Sequence, residues 1–136
     1  MAAVKELIRS EENGGLSFGD YELDAKAKLD NFNFEGDIYK VKTFKEITKL
    51  EKNGGFVYES VPGTSVTGLK ASGDGVEFSV DGPVDAQITL ELEAETEYEI
   101  LISKASAGKM QTNLGGKLSF FVELGDGVPV DIKVSK

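Results

Sequence analysis

The chain has no cysteine, no histidine and no tryptophan, and its basic residues are all lysine except for one arginine, Arg9. Without thiols there is no disulfide scaffold and no sulfur nucleophile. Without imidazole there is no histidine base, and with both gone no zinc site of the usual kind. A lone guanidinium cannot form a cluster of bidentate anion clamps. Positive charge is in short supply overall: 15 basic residues face 24 acids, a net charge of -9. Nucleic acid and anionic membrane surfaces are therefore poor partners, since both need concentrated positive charge. No apolar run is long enough to cross a bilayer. The opening Met-Ala-Ala-Val-Lys-Glu-Leu-Ile-Arg lacks the apolar centre of a secretory signal. The sequence as it stands thus predicts a cytoplasmic chain, and an extracellular one only if a leader has been removed.

What is present is alternation. From Ser72 to Ser103 there is no Lys or Arg but there are nine acids, equal in number to the net charge of the whole chain. Between them Val76, Phe78 and Val80, then Val84, Ala86, Ile88, Leu90 and Leu92, then Tyr98, Ile100 and Ile102 recur at every second position. Successive strand side chains point to opposite faces, so this pattern predicts strands with one apolar face and one acidic face. At 136 residues the chain is long enough for one domain with a core that needs no staples.

Glycine turns punctuate the rest. Asn13-Gly14-Gly15, Asn53-Gly54-Gly55, Gly115-Gly116 and Asp126-Gly127 separate short apolar-alternating segments, which is hairpin chemistry. None of them leads from a strand into a helix with Lys-Ser/Thr following, so none reads as a phosphate cradle. Thr43–Lys52 carries two readings. Thr43 with Glu46, and the spacing of Phe44, Ile47 and Leu50, fit a capped helix. The strand-like neighbours on both sides favour a hairpin instead. Pro62-Gly63 has the form of a type II turn, with glycine at positive φ. Eight of the twelve aromatics precede it. The expected architecture is an all-β antiparallel sandwich of about ten short strands, immunoglobulin-like or jelly-roll-like, forming a single domain over 1–136. An aromatic-rich subdomain 1–62 packed on a sandwich 63–136 is the alternative division.

Three groups of residues invite a functional reading. Glu91, Glu93, Glu95, Glu97 and Glu99 would stand roughly 6.5–7 Å apart on one extended face, a separation that paired-carboxylate hydrolases use. Ala94 and Thr96 are expected to bend the chain and split that row, and repelling charges on a wet face also guard against sheet stacking. The loop aspartates Asp74, Asp81, Asp85 and Asp126 offer the oxygen ligands that calcium takes, although Asp-Gly is also ordinary turn chemistry. Tyr21, Tyr39, Tyr58 and Phe121 are the aromatics expected outside the core, Phe121 because its parity opposes Leu118, Phe120, Val122 and Leu124. With Asp37 they form a candidate face for a glycan, for another protein or for a second copy of the chain.

Gly75-Val76-Glu77-Phe78-Ser79-Val80, Thr96-Glu97-Tyr98-Glu99-Ile100, Gly116-Lys117-Leu118-Ser119-Phe120 and the closing Val128–Val134 resemble the strands of immunoglobulin-like sandwich modules appended to bacterial glycan-active and surface proteins. The whole chain is similar to short clostridial proteins that sometimes carry an endosialidase label. That resemblance implies a carbohydrate-binding accessory module. Sialidases hold the substrate carboxylate with several arginines, so with Arg9 alone the activity is not carried over. The preferred expectation is a non-catalytic structural or protein-interaction module that self-associates and needs no cofactor. A carbohydrate-binding module using Tyr39, Tyr58 and Asp37, with calcium assisting, is the first alternative. A carboxylate-based glycan hydrolase or lyase is the second.

Overall fold

Period-two alternation gives each strand one apolar edge, and two sheets bury those edges against each other. A computed structural model describes residues 3–136, and over them the chain is an antiparallel β-sandwich without helix. One sheet has seven strands in the order β1 (Ile8–Ser10), β2 (Leu16–Phe18), β7 (Ser65–Ser72), β8 (Gly75–Asp81), β13 (Val130–Ser135), β10 (Glu97–Ile102) and β11 (Ala105–Gln111). The other has six, in the order β12 (Lys117–Val122), β9 (Ala86–Glu91), β6 (Gly55–Val61), β5 (Ile47–Lys52), β4 (Asp37–Phe44) and β3 (Ala27–Phe34). Thirteen strands stand where about ten were expected; the extra pieces include β1 and β2, of three residues each. Both sheets take strands from either side of Pro62, and one cluster of buried side chains joins them, so Pro62 does not divide the chain into two bodies.

The core follows the alternation. Val76, Phe78 and Val80 of β8 and Ile132 and Val134 of β13 face inward from one sheet. Ile88 and Leu90 of β9 and Leu118, Phe120 and Val122 of β12 face inward from the other. Tyr58 lies between them, with Phe18 and Phe78 edge-on at 5.3 and 5.7 Å.

Thr43–Lys52 is a hairpin. Phe44 pairs with Ile47 across Lys45-Glu46, and the buried Thr43 and Thr48 share a hydroxyl hydrogen bond of 2.8 Å. The helical spacing of Phe44, Ile47 and Leu50 is a by-product of the turn: Phe44 and Ile47 face outward and Leu50 inward. Pro62-Gly63 departs from expectation. The Val61-Pro62 peptide is cis, and Gly63 does not take positive φ. Glycine is required there by close approach, since a Cβ would stand 2.1 Å from the Phe44 carbonyl oxygen.

That crossing between sheets is tied by buried hydroxyls. Thr64 Oγ1 is hydrogen-bonded to Tyr58 OH at 2.8 Å and to Ser60 Oγ at 2.7 Å. Thr48 Oγ1 donates to the Thr64 carbonyl at 2.7 Å, and Ser65 Oγ donates to the Gly19 carbonyl at 2.8 Å. No buried side-chain nitrogen or oxygen among the described residues lacks a partner. At the other edge, Glu11 Oε2 accepts from Ser17 Oγ and Arg9 Nε, and those bonds hold its carboxyl below the usual range.

Candidate interaction surface

The residues singled out from sequence do not meet in one site. Tyr58 is fully buried, a correction to its placement outside the core; burial pushes its phenol well above the ordinary range. Tyr39 lies half-buried on the inner side of β4, edge-on to Phe34 at 6.0 Å, and its phenol is raised first by burial and then by Asp37. Asp37 itself accepts from Asn53 Nδ2 at 2.9 Å and so serves the β5–β6 turn. Tyr21 is half-buried in the β2–β3 connection; burial, then the Asp81 carboxylate beside it, raise its phenol. Phe121 alone is fully presented, 72% exposed on the outer face of β12. It is four strands away from Tyr39 and on the opposite side of the sheet.

The aspartates do not converge either. Asp74 sits at the β7–β8 turn, the length of β8 away from Asp81. Asp81 is buried and accepts from the Gly82 amide, and Asp85 accepts from the Leu124 amide. Asp126 is exposed in the β12–β13 connection. No three carboxylates among the described residues are grouped to hold a metal ion, so the calcium set of Asp74, Asp81, Asp85 and Asp126 is not assembled. The glutamate row is split as the bend predicted. Glu91 ends β9 in the six-stranded sheet, Glu97 and Glu99 lie on β10 in the seven-stranded sheet, and Glu93 and Glu95 are in the connection.

The six-stranded sheet presents an outer face that the sequence reading missed. Its registers place Lys28, Lys42, Lys49, Glu59, Thr89 and Ser119 in one row across all six strands. Lys26 and Lys40 flank the lysine end of that row. Three lysines side by side on neighbouring strands repel, because directly opposed like charges are destabilising. The Lys42 ammonium is accordingly held below its ordinary pKa, first by burial and then by Lys26, Lys28, Lys49 and Lys40. Lys49 finds some relief at Glu51, 3.6 Å away, while Lys28, Lys40 and Lys42 have no carboxylate partner among the described residues.

One step along the strands the face turns apolar. Phe44 is opposite Ile47, and Val61 and Phe121 both pair with Gln87. Val61 is 53% exposed. Continuing the β5–β6 register from Thr48 and Ser60 sets Ile47 beside Val61, so four apolar side chains and one amide cross the sheet. The two-residue turn at Lys45-Glu46 fixes the β4–β5 register, which was the clue available in sequence. Past Asn53-Gly54, by contrast, a bulge between Leu50 and Glu51 shifts β6 by one residue and so turns Glu59 and Val61 outward.

The seven-stranded sheet carries a different feature on its outer side. A groove of about 430 Å³ is lined by Thr67, Lys70, Glu77, Ser79, Asp131 and Lys133, among others. Ser79 Oγ donates to Asp131 at 2.7 Å within it. It is mixed in charge, has Leu101 in its wall, and is without an exposed ring.

Compared with family models, with curated proteins and with solved structures, the chain matches none.

Proposed function

We propose that the protein is a non-catalytic interaction module that associates with copies of itself through the outer face of the six-stranded sheet. The observation that carries this reading is the row Phe44, Ile47, Val61, Gln87 and Phe121. The core has no use for it, and neighbouring apolar side chains left open on one sheet face are what protein interfaces bury. None of the grooves described on the surface is lined by this row, and a small molecule needs a concave site, so the row suits a protein better. The split glutamate row supports a non-catalytic reading, since Glu91 and Glu97 belong to different sheets and do not oppose each other across a cleft. No helix of the described residues is long and apolar enough to cross a membrane.

Light scattering on the eluting protein tests the proposal. An oligomer is expected for the parent chain, and the double variant Phe121→Ser, Val61→Ser should shift to monomer with its melting temperature at low concentration little changed, both side chains being exposed. A parent that is monomeric at every concentration would remove the reading. The half-buried Phe34–Tyr39 pair beside Asp37 favours carbohydrate as the second reading. A melting temperature that climbs in a glycan panel, with or without calcium, would support it, because a ligand of the folded state stabilises that state.

A further inference from the structure

We infer that the copies join head to tail: the lysine row of one copy docks on the glutamate corner around β10 and β11 of the next. This inference rests on the self-association proposed above and names the partner surface. Lys28, Lys42 and Lys49 form the positive side, on a chain whose net charge is -9. Keeping Lys28 and Lys42 unneutralised beside Lys49, which has Glu51, costs stability within one copy, and an acidic partner surface offsets that cost.

The complementary surface is on the same chain. Glu95, in a turn at φ 51°, and Glu97, on the outer side of β10, have no lysine or arginine partner among the described residues. Glu99 beside them makes no ion pair within 4.0 Å, although Lys109 of β11 is its cross-strand neighbour. Beside them is one uncovered apolar side chain: Glu95 N donates to the Asn113 carbonyl, and Leu114 in that turn is 80% exposed. Met110 pairs with the inward-facing Tyr98 and projects from the other side of the ribbon. Cations beside an apolar row thus have a counterpart in carboxylates beside the exposed Leu114.

Position decides the mode of assembly. β1 touches β3, so those two edges lie together and β11 belongs to the opposite side of the sandwich. The lysine row is centred on β4 of one sheet, and the glutamates are on β10 of the other. That places them some four strand spacings, roughly 20 Å, apart laterally and one intersheet gap of about 10 Å apart in depth. Patches on diagonal corners cannot engage reciprocally in one compact pair, and like charges prevent two lysine faces from meeting. The contact is heterologous and leaves a free patch at each end of the growing chain.

Sedimentation velocity with charge-swapped variants tests this. The parent should grow with concentration without a fixed ceiling and shrink at about 0.5 M salt, where exposed pairs are screened. Lys28→Glu, Lys42→Glu, Lys49→Glu in one variant, and Glu95→Lys, Glu97→Lys, Glu99→Lys in another, should each lose association by at least about tenfold. Circular dichroism confirms that each is folded. An equimolar mixture of the two should regain association, because the intact glutamate corner of one meets the intact lysine row of the other and the two swapped patches are themselves opposite in charge. No complex in the mixture, or a salt-insensitive closed dimer for the parent, overturns the head-to-tail contact. Parental oligomers in both variants overturn it while leaving self-association standing. A parent that is monomeric throughout removes both.

Discussion

Tyr58 shows how a single residue can be misplaced by its type. Tyr58 was expected outside the core, in a face for a ligand or partner, yet its ring fills the space between the two sheets. What sequence could not show was where its hydroxyl would go. Thr64 lies beyond Pro62, on the path to the other sheet, and its side chain returns to meet both Tyr58 and Ser60. Tyr58→Phe keeps the ring and deletes the hydroxyl, so it should cost about 1–2 kcal/mol in urea unfolding, the cost of a buried hydrogen bond lost with one partner left behind. Parent-like stability in that variant would show that Ser60 alone satisfies Thr64. Phe121 illustrates the opposite case: its parity within Leu118–Leu124 was enough to place it outside.

Among the elements, the β4–β5 hairpin joins stability to function most directly. Its inner side carries Val41, Thr43, Thr48 and Leu50, all buried, and its outer side carries Lys42 opposite Lys49. Lys42→Thr should therefore raise stability by about a few tenths of a kcal/mol, as removal of a like-charge pair does. The sign with pH follows from the depressed ammonium. Folding disfavours the charged form, so its cost is present throughout the range below the folded pKa and fades as pH rises from there toward 10.5. Chemical denaturation near neutrality and near pH 10 should thus show a parent-to-variant gap that narrows on the alkaline side. A gap of constant size would mean that neither burial nor the neighbouring lysines depress the Lys42 ammonium.

Strand positions were largely legible at this scale because two periodicities, alternation and glycine turns, agreed. β11 was the exception. Its first half, Ala105-Ser106-Ala107-Gly108, has no apolar alternation, and its turn uses Ser103-Lys104 in left-handed conformation without a glycine. Neither of the usual markers was there to read.

For the whole molecule, sequence established the class of fold but not which faces would adjoin. Sheet order depends on crossings such as Thr64 and Gly19, where close backbone contact and hydroxyl bonds, rather than periodicity, decide the path. The lysine row is a property of that order. Its members come from three strands separated by two turns, and in linear sequence they are merely lysines scattered among acids. The same holds for the distance between the acidic corner and the basic face, which exists only once both sheets are stacked.

The hairpin of β10 and β11 has one more consequence. Every residue of β11 is exposed, so neither of its sides is covered by the opposing sheet, and its register with β10 slips between Glu99 and Leu101. Its connecting turn places Ser103 and Lys104 at φ 52° and 70°, where side chains with a Cβ are uncomfortable. Little holds this ribbon apart from its own backbone bonds, so its amide protons should exchange with deuterated water well ahead of those in β8 or β9. If copies of the chain do stack through this corner, that breathing segment should fall quiet on assembly. A concentration series followed by mass spectrometry would then watch the contact form from the side of the loosest strand.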